Sequence, residues 1–224
     1  FIAKVQDENF IAQEVAKYPK LLESLPAKDS GVRYRLEGYL FPATYTIKDS
    51  TTVESLIDEM LATMDKNLSP HYATIKEKNL TVNELLTIAS LVEKEGAKTE
   101  DRKLIAGVFY NRLNLGIPLQ SNIAILYAEG KLGQKISLAD DVAIDTAIDS
   151  PYNVYTNIGL MPGPVDSPSL DAIESSINQT KSDNLFFVAN VQDGKVYFAA
   201  TKEEHDKNVE ELINSKLKQS NSTN

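Results

Sequence analysis

No cysteine occurs among the 224 residues. That excludes disulfides and thiolate chemistry and leaves stability to the hydrophobic core. Positive charge is also short: 23 Lys and Arg stand against 32 Asp and Glu, a net charge of −9. A generic phosphate-backbone binder needs a basic patch, so nucleic acid is not an expected partner. No apolar run approaches the roughly 18 residues that cross a bilayer, and no signal-peptide pattern opens the chain. It begins on Phe1 rather than Met, and we read it as part of a longer polypeptide with a membrane anchor upstream. The two histidines, His71 and His205, are far apart and outside metal-ligand spacing, so no metal or other cofactor is expected. Gly-x-Ser-x-Gly is missing, as is a phosphate-cradling glycine loop, which argues against a serine hydrolase and a nucleotide binder. Internal repeats and low-complexity tracts are absent.

What is present is an ordinary globular composition, 42% hydrophobic and 25% charged, in a length that allows one large domain, or one domain with a smaller appendage. Residues 1–32 read as a helical lead-in, with Phe10, Ile11, Val15, Tyr18, Leu21 and Leu22 at helical spacing through residue 30. Residues 33–217 read as the main domain and 218–224 as a polar tail. Arg33 to Ile47 alternates weakly around Tyr39, Phe41 and Tyr45, and Pro42 rules out a long central strand. Thr51 with Glu54, Thr81 with Glu84, and Thr201 with Glu204 have capping-box spacing, each ahead of an expected helix. The second of those helices runs through Leu85, Leu86, Ile88, Ala89, Leu91 and Val92 to a stop at Gly96. Another spans Leu104 to Leu113 and closes at Gly116, and a short one covers Ile123 to Ala128. Pro151, Pro162, Pro164 and Pro168 make the stretch from Ser150 to Ser169 a loop, and a loop this long in a compact domain tends to be functional. Leu185–Val188 and Lys195–Phe198 flank Asp193-Gly194, a favoured tight-turn pair, which predicts a hairpin. The expected fold class is therefore α+β, a helical core beside a small antiparallel sheet that includes this hairpin.

Three clusters bear on chemistry. In Glu93-Lys94-Glu95-Gly96 the two glutamates point roughly 200° apart on a helix, so they do not share one substrate atom. Glu95 extends the stripe of Ile88, Leu91 and Val92; Glu93 extends that of Leu86 and Ala89. A last-turn position faces the negative end of the helix dipole, which disfavours a carboxylate, and partial burial acts the same way. A glutamate held protonated is what donating a proton to a glycosidic oxygen requires. The alternative, a solvated Glu-Lys-Glu helix end, stays open at this point. Gln120 and Asn122, within Pro118-Leu119-Gln120-Ser121-Asn122, offer donors and acceptors suited to sugar hydroxyls and acetamido groups; helix capping by Ser121 or Asn122 explains them equally. Tyr152, Asn153 and Tyr155 lie in the proline-rich loop, where rings stack on sugars or pin the loop to the core.

In this order the blocks resemble a known family. Leu36-Glu37-Gly38-Tyr39-Leu40-Phe41-Pro42-Ala43-Thr44-Tyr45 resembles its EGxxxPxTY segment, and Ile88 through Glu95 is similar to its catalytic-helix signature. Val108-Phe109-Tyr110-Asn111-Arg112-Leu113, Leu119 through Asn122, Tyr152 through Thr156 and Gly159-Leu160-Met161-Pro162-Gly163-Pro164 match the later blocks. Together they cover residues 33–210 and resemble the endolytic murein transglycosylase, or YceG-like, family in its Gram-positive form.

The resemblance implies an extracellular, membrane-anchored lyase acting on peptidoglycan glycan strands beside cell-wall synthesis and division proteins. It implies non-hydrolytic cleavage of the β-1,4 bond between N-acetylmuramic acid and N-acetylglucosamine, leaving 1,6-anhydro ends. It implies Glu95 as the acid and then the base, with Glu93 as the other register of the motif, and Gln120, Asn122, Tyr152, Asn153, Tyr155 and Glu37 as substrate contacts. The substrate's own C6 hydroxyl is the nucleophile, so a second carboxylate to activate water is not required. Two other readings remain: a muramidase pairing Glu95 with Glu37 or Asp145, and a non-catalytic glycan-binding scaffold.

Overall fold

The hydrophobic stripe over residues 82–95 folds as predicted into a helix, here α5 (Val82–Glu95), buried without a break from Leu85 to Val92. Its capping box forms: the Thr81 N–H donates to Glu84 Oε2 at 2.8 Å, and the Glu84 N–H to Thr81 Oγ1 at 3.2 Å. The computed structural model describes residues 1–134, 143–190 and 194–214. Two compact units are formed, Phe1–Lys94 with Leu160–Ile177, and Glu95–Gly159 with Asn178 onward.

Unit 1 is helical. Preceding α5 are α1 (Ile2–Val5), α2 (Glu8–Lys17), α3 (Val53–Leu68) and α4 (Tyr72–Glu77). Asp7 starts α2 by accepting from the Asn9 and Phe10 amides through Oδ1. The helix predicted through residue 30 ends early, because Tyr18 leaves helical geometry with ψ 60°. Leu21 and Leu22 still enter the core, from turns, beside Phe10, Ile11, Ile57, Leu61 and Leu86. Helix α3 starts one residue later than predicted: Thr52, not Thr51, is the cap, and it exchanges hydrogen bonds with Ser55 rather than Glu54. Thr51 instead accepts the Lys48 amide at 2.9 Å.

Between residues 33 and 48 the chain forms turns and irregular backbone, pinned by buried Leu36 and Tyr39. The Tyr39 hydroxyl reaches Asn83 Oδ1 at 3.2 Å. Gly38 has φ +82°, and a methyl group there would collide with the ring of Pro164. The proline-rich stretch is irregular as predicted, up to α8 (Leu170–Ile177).

Unit 2 supplies the sheet. Helix α6 (Thr99–Asn114) ends through Gly116 at φ +64° and is followed by α7 (Asn122–Ala128). Strands β1 (Phe186–Ala189) and β2 (Val196–Ala199) pair antiparallel, Phe186 opposite Ala199 and Val188 opposite Tyr197. The fold is thus α+β with the hairpin predicted. Gly194 has φ +67°; Asp193 and the tail from Lys218 lie outside the described residues. The rings of Phe109 and Phe187 meet edge to face at 5.8 Å, seating α6 on the sheet. The Thr201–Glu204 box forms and starts α9 (Lys202–Val209), which runs into a π-helical turn at Glu210–Asn214. Among the described residues no helix is long and apolar enough to cross a membrane.

Candidate active site

Glu95 is the last residue of α5. The residue after it is glycine for a steric reason: a methyl group on Gly96 would lie 2.8 Å from Arg102 Cγ. Its φ is not positive, so Gly96 permits close approach rather than providing the left-handed cap that the sequence suggests. Arg102 Nε donates to the Gly96 carbonyl at 2.8 Å, fixing the turn into α6.

The half-buried Glu95 carboxylate receives a hydrogen bond from Ser121 Oγ, 2.7 Å from Oε1. Ser121 is 2% exposed and occupies the cap position of α7, yet its side chain makes no capping bond. Both residues of the expected cap have other work. Asn122 Oδ1 accepts from the Tyr155 hydroxyl at 2.5 Å. Tyr155 itself is partly exposed.

Gln120 is solvent-exposed with φ +56°, left-handed backbone that costs a non-glycine residue energy. Its N–H donates to the Val154 carbonyl at 3.0 Å, and its Oε1 accepts from the Arg112 guanidinium at 2.5 Å. Arg112, 5% exposed, also donates to the carbonyls of Pro118 and Leu185, each at 2.7 Å. Burial lowers its pKa, and Tyr155 acts in the opposite sense.

The remaining sequence candidates fall differently. Tyr152 is buried, its ring 4.7 Å from that of Tyr127. Asn153 is buried too: its Nδ2 donates to the Thr146 and Ile148 carbonyls, and its Oδ1 accepts from the Tyr155 and Thr156 amides. These two residues build the loop that carries Tyr155. Glu37 belongs to unit 1, where it lines a pocket with Phe1, Tyr34 and Leu40. Asp145 is exposed and accepts the Ala147 amide in a local turn. Glu93, in unit 1, accepts from the Ser169 N–H and Oγ at 3.0 and 2.5 Å, bracing the start of α8. No group of His, Cys, Asp and Glu that could hold a metal ion occurs among the described residues.

Two participants were not singled out from sequence. Ser121 looked like a cap, and its cap position gave no hint of another partner. Arg112 did carry a signal: Val108, Phe109 and Leu115 surround it at helical spacing, an apolar setting unusual for arginine.

A family model described as YceG-like matches residues 2–211. The chain belongs to the YceG-like family. A protein of Streptococcus pneumoniae serotype 2 named endolytic murein transglycosylase is 83% identical over 217 residues, 97% of this chain and 39% of that protein. A Bacillus subtilis protein of the same name is 38% identical over 216 residues, 96% of this chain and 58% of its own length. The crystal structure of a yceG-like protein from Listeria monocytogenes superposes with a TM-score of 0.80 at 38% identity, covering 91% of this chain and 65% of that one. The chain spans 39% and 58% of the two named relatives' own lengths and 65% of the Listeria chain.

Proposed function

We propose that the chain carries the catalytic chemistry of an endolytic murein transglycosylase, with Glu95 transferring the proton. The observation behind this is the Ser121 hydroxyl held on Glu95 Oε1 at 2.7 Å, next in sequence to the Asn122–Tyr155 pair. A helix-terminal carboxyl held by a buried donor is fixed in place, as proton transfer to a positioned substrate requires.

The substrate is a peptidoglycan glycan strand. Glu95, protonated, gives its proton to the oxygen leaving C1 of N-acetylmuramic acid as the glycosidic bond breaks. The C6 hydroxyl oxygen of the same sugar bonds to C1, and its proton returns to Glu95, which regenerates the acid without water. Tyr155 and Asn122 orient the sugar, and Gln120 offers an amide at the surface. The polypeptide acts outside the cell, anchored in the membrane by a segment beyond this chain and working beside wall-synthesis proteins.

Digestion of isolated peptidoglycan by the full-length protein, read by mass spectrometry, tests this. Wild type should release fragments with 1,6-anhydro ends, and Glu95→Gln should release none. Reducing ends would mean that water, not the C6 hydroxyl, attacks. Undiminished cleavage by Glu95→Gln would remove Glu95 from the mechanism altogether.

A further inference from the structure

Arg112 is a buried guanidinium whose compensation is built from neutral groups: the Pro118 and Leu185 carbonyls at 2.7 Å, Gln120 Oε1 at 2.5 Å, and the Phe186 ring 5.2 Å from Cζ. Burying arginine this way has a cost in desolvation, which hydrogen bonds to charged groups offset only when every arm of the fork is used. All the anchors lie in unit 2. They join the α6 helix to β1 on one side and to the Pro118–Gln120 turn on the other. That turn is the segment immediately before Ser121, which holds Glu95, and Asn122, which holds Tyr155. The same turn is tied again where the Gln120 N–H donates to Val154, the residue before Tyr155. Gln120 sits at φ +56°, a conformation that surrounding contacts must enforce in a residue with a Cβ.

From this geometry we infer that Arg112 is a positioning residue for the acid: through Gln120 and Pro118 it fixes the turn that places Ser121 on Glu95 and Asn122 on Tyr155. The inference rests on Glu95 being the acid. Gln120, with its Oε1 held by the guanidinium, serves as the arginine's anchor in addition to any contact it makes with glycan. Lysine cannot replace this arginine, because a point charge lacks the planar fork that spans three acceptors.

The test uses the full-length protein carrying Arg112→Lys, Gln120→Gly, both together, and Glu95→Gln as reference, with the folded fraction of each measured by melting. Glycine suits the left-handed backbone at position 120, so that variant keeps its fold even where lysine weakens it. Displacing a catalytic group by about 1 Å can cost on the order of 10²-fold in turnover. We expect losses of about that size in kcat for each single variant, with KM little changed in Arg112→Lys. The double variant should lose less than the product of the two single losses, because both variants break the Arg112–Gln120 contact. Full kcat per folded molecule in Arg112→Lys, losses that multiply in the double variant, or a change confined to KM would overturn the inference. An active Glu95→Gln would instead sink the reading it rests on; an inactive Glu95→Gln beside an unimpaired Arg112→Lys would sink the positioning role alone.

Discussion

Ser121 stands where a helix cap belongs and gives its hydroxyl to Glu95 instead. The first turn of α7 therefore has nothing to lose when that hydroxyl is removed, while the carboxylate does.

Ser121→Ala should accordingly lower turnover, with a cost to stability confined to the one bond to Glu95 because α7 loses no cap. A hydrogen bond to a charged group is worth about 1.5–3 kcal/mol, so the loss should be about 10–100-fold. Turnover on glycan strands and thermal melting of the same sample separate the two effects. A variant that melts early yet turns over normally would return Ser121 to a structural role.

Tyr155→Phe keeps the ring and deletes the hydroxyl that reaches Asn122 Oδ1. Because Tyr155 is partly exposed, the cost to folding should be small and the cost to turnover about 10-fold or more. Asn122→Ala should give a similar loss, and combining the two should add little. If Tyr155→Phe instead keeps full activity and loses about 1–3 kcal/mol of stability, its hydroxyl only satisfies the loop.

The neighbouring glutamate should behave in the opposite way. Glu93 accepts from both the backbone and side chain of Ser169 at the start of α8. Glu93→Ala should cost about 1–2 kcal/mol in denaturant unfolding, the scale of a lost helix cap. Turnover per folded molecule should persist. A dead but fully stable Glu93→Ala would exchange the roles given to Glu93 and Glu95.

His205 predicts a pH dependence of stability. Its ring stacks on Phe186 at 5.1 Å, and Nδ1 is buried without a hydrogen-bond partner. Burial lowers its pKa from the ordinary 6.5, Asp206 opposes this, and Lys202 and Arg112 add to it. The folded state therefore binds fewer protons than the unfolded state between the two pKa values, and stability rises with pH there. His205's contribution is fully present above about pH 6.5 and is lost as pH falls through the lowered value. His205→Phe, which retains an aromatic ring against Phe186, should flatten the melting temperature across that range. An unchanged pH profile would show that other groups set it.

Much of the fold was legible because local signals agreed with burial. Two capping boxes, the unbroken α5 stripe and the hairpin each had a backbone reason visible in the sequence. The misplaced α3 start shows the limit. Thr51 and Thr52 are adjacent and both cap-competent, and the Lys48 amide decides between them. The lead-in helix was overextended because Leu21 and Leu22 keep helical spacing while lying in turns. In the candidate site, Glu95, Gln120, Asn122 and Tyr155 stand out by residue type and position, and all four fall in unit 2. Burial does not stand out: Tyr152 and Asn153 look like ligands in a polar loop and are packed inside it. Nor could sequence reveal that Ser121 and Arg112 spend their donors on side chains and carbonyls distant along the chain.

The collision that any side chain at Gly38 would suffer with Pro164 binds two separate sequence blocks into one steric unit. Position 38 cannot take a side chain while Pro164 keeps its ring, and its φ of +82° strains one there in any case. Chimeras with a related protein should then fail wherever the incoming segment brings a side chain to position 38 against Pro164.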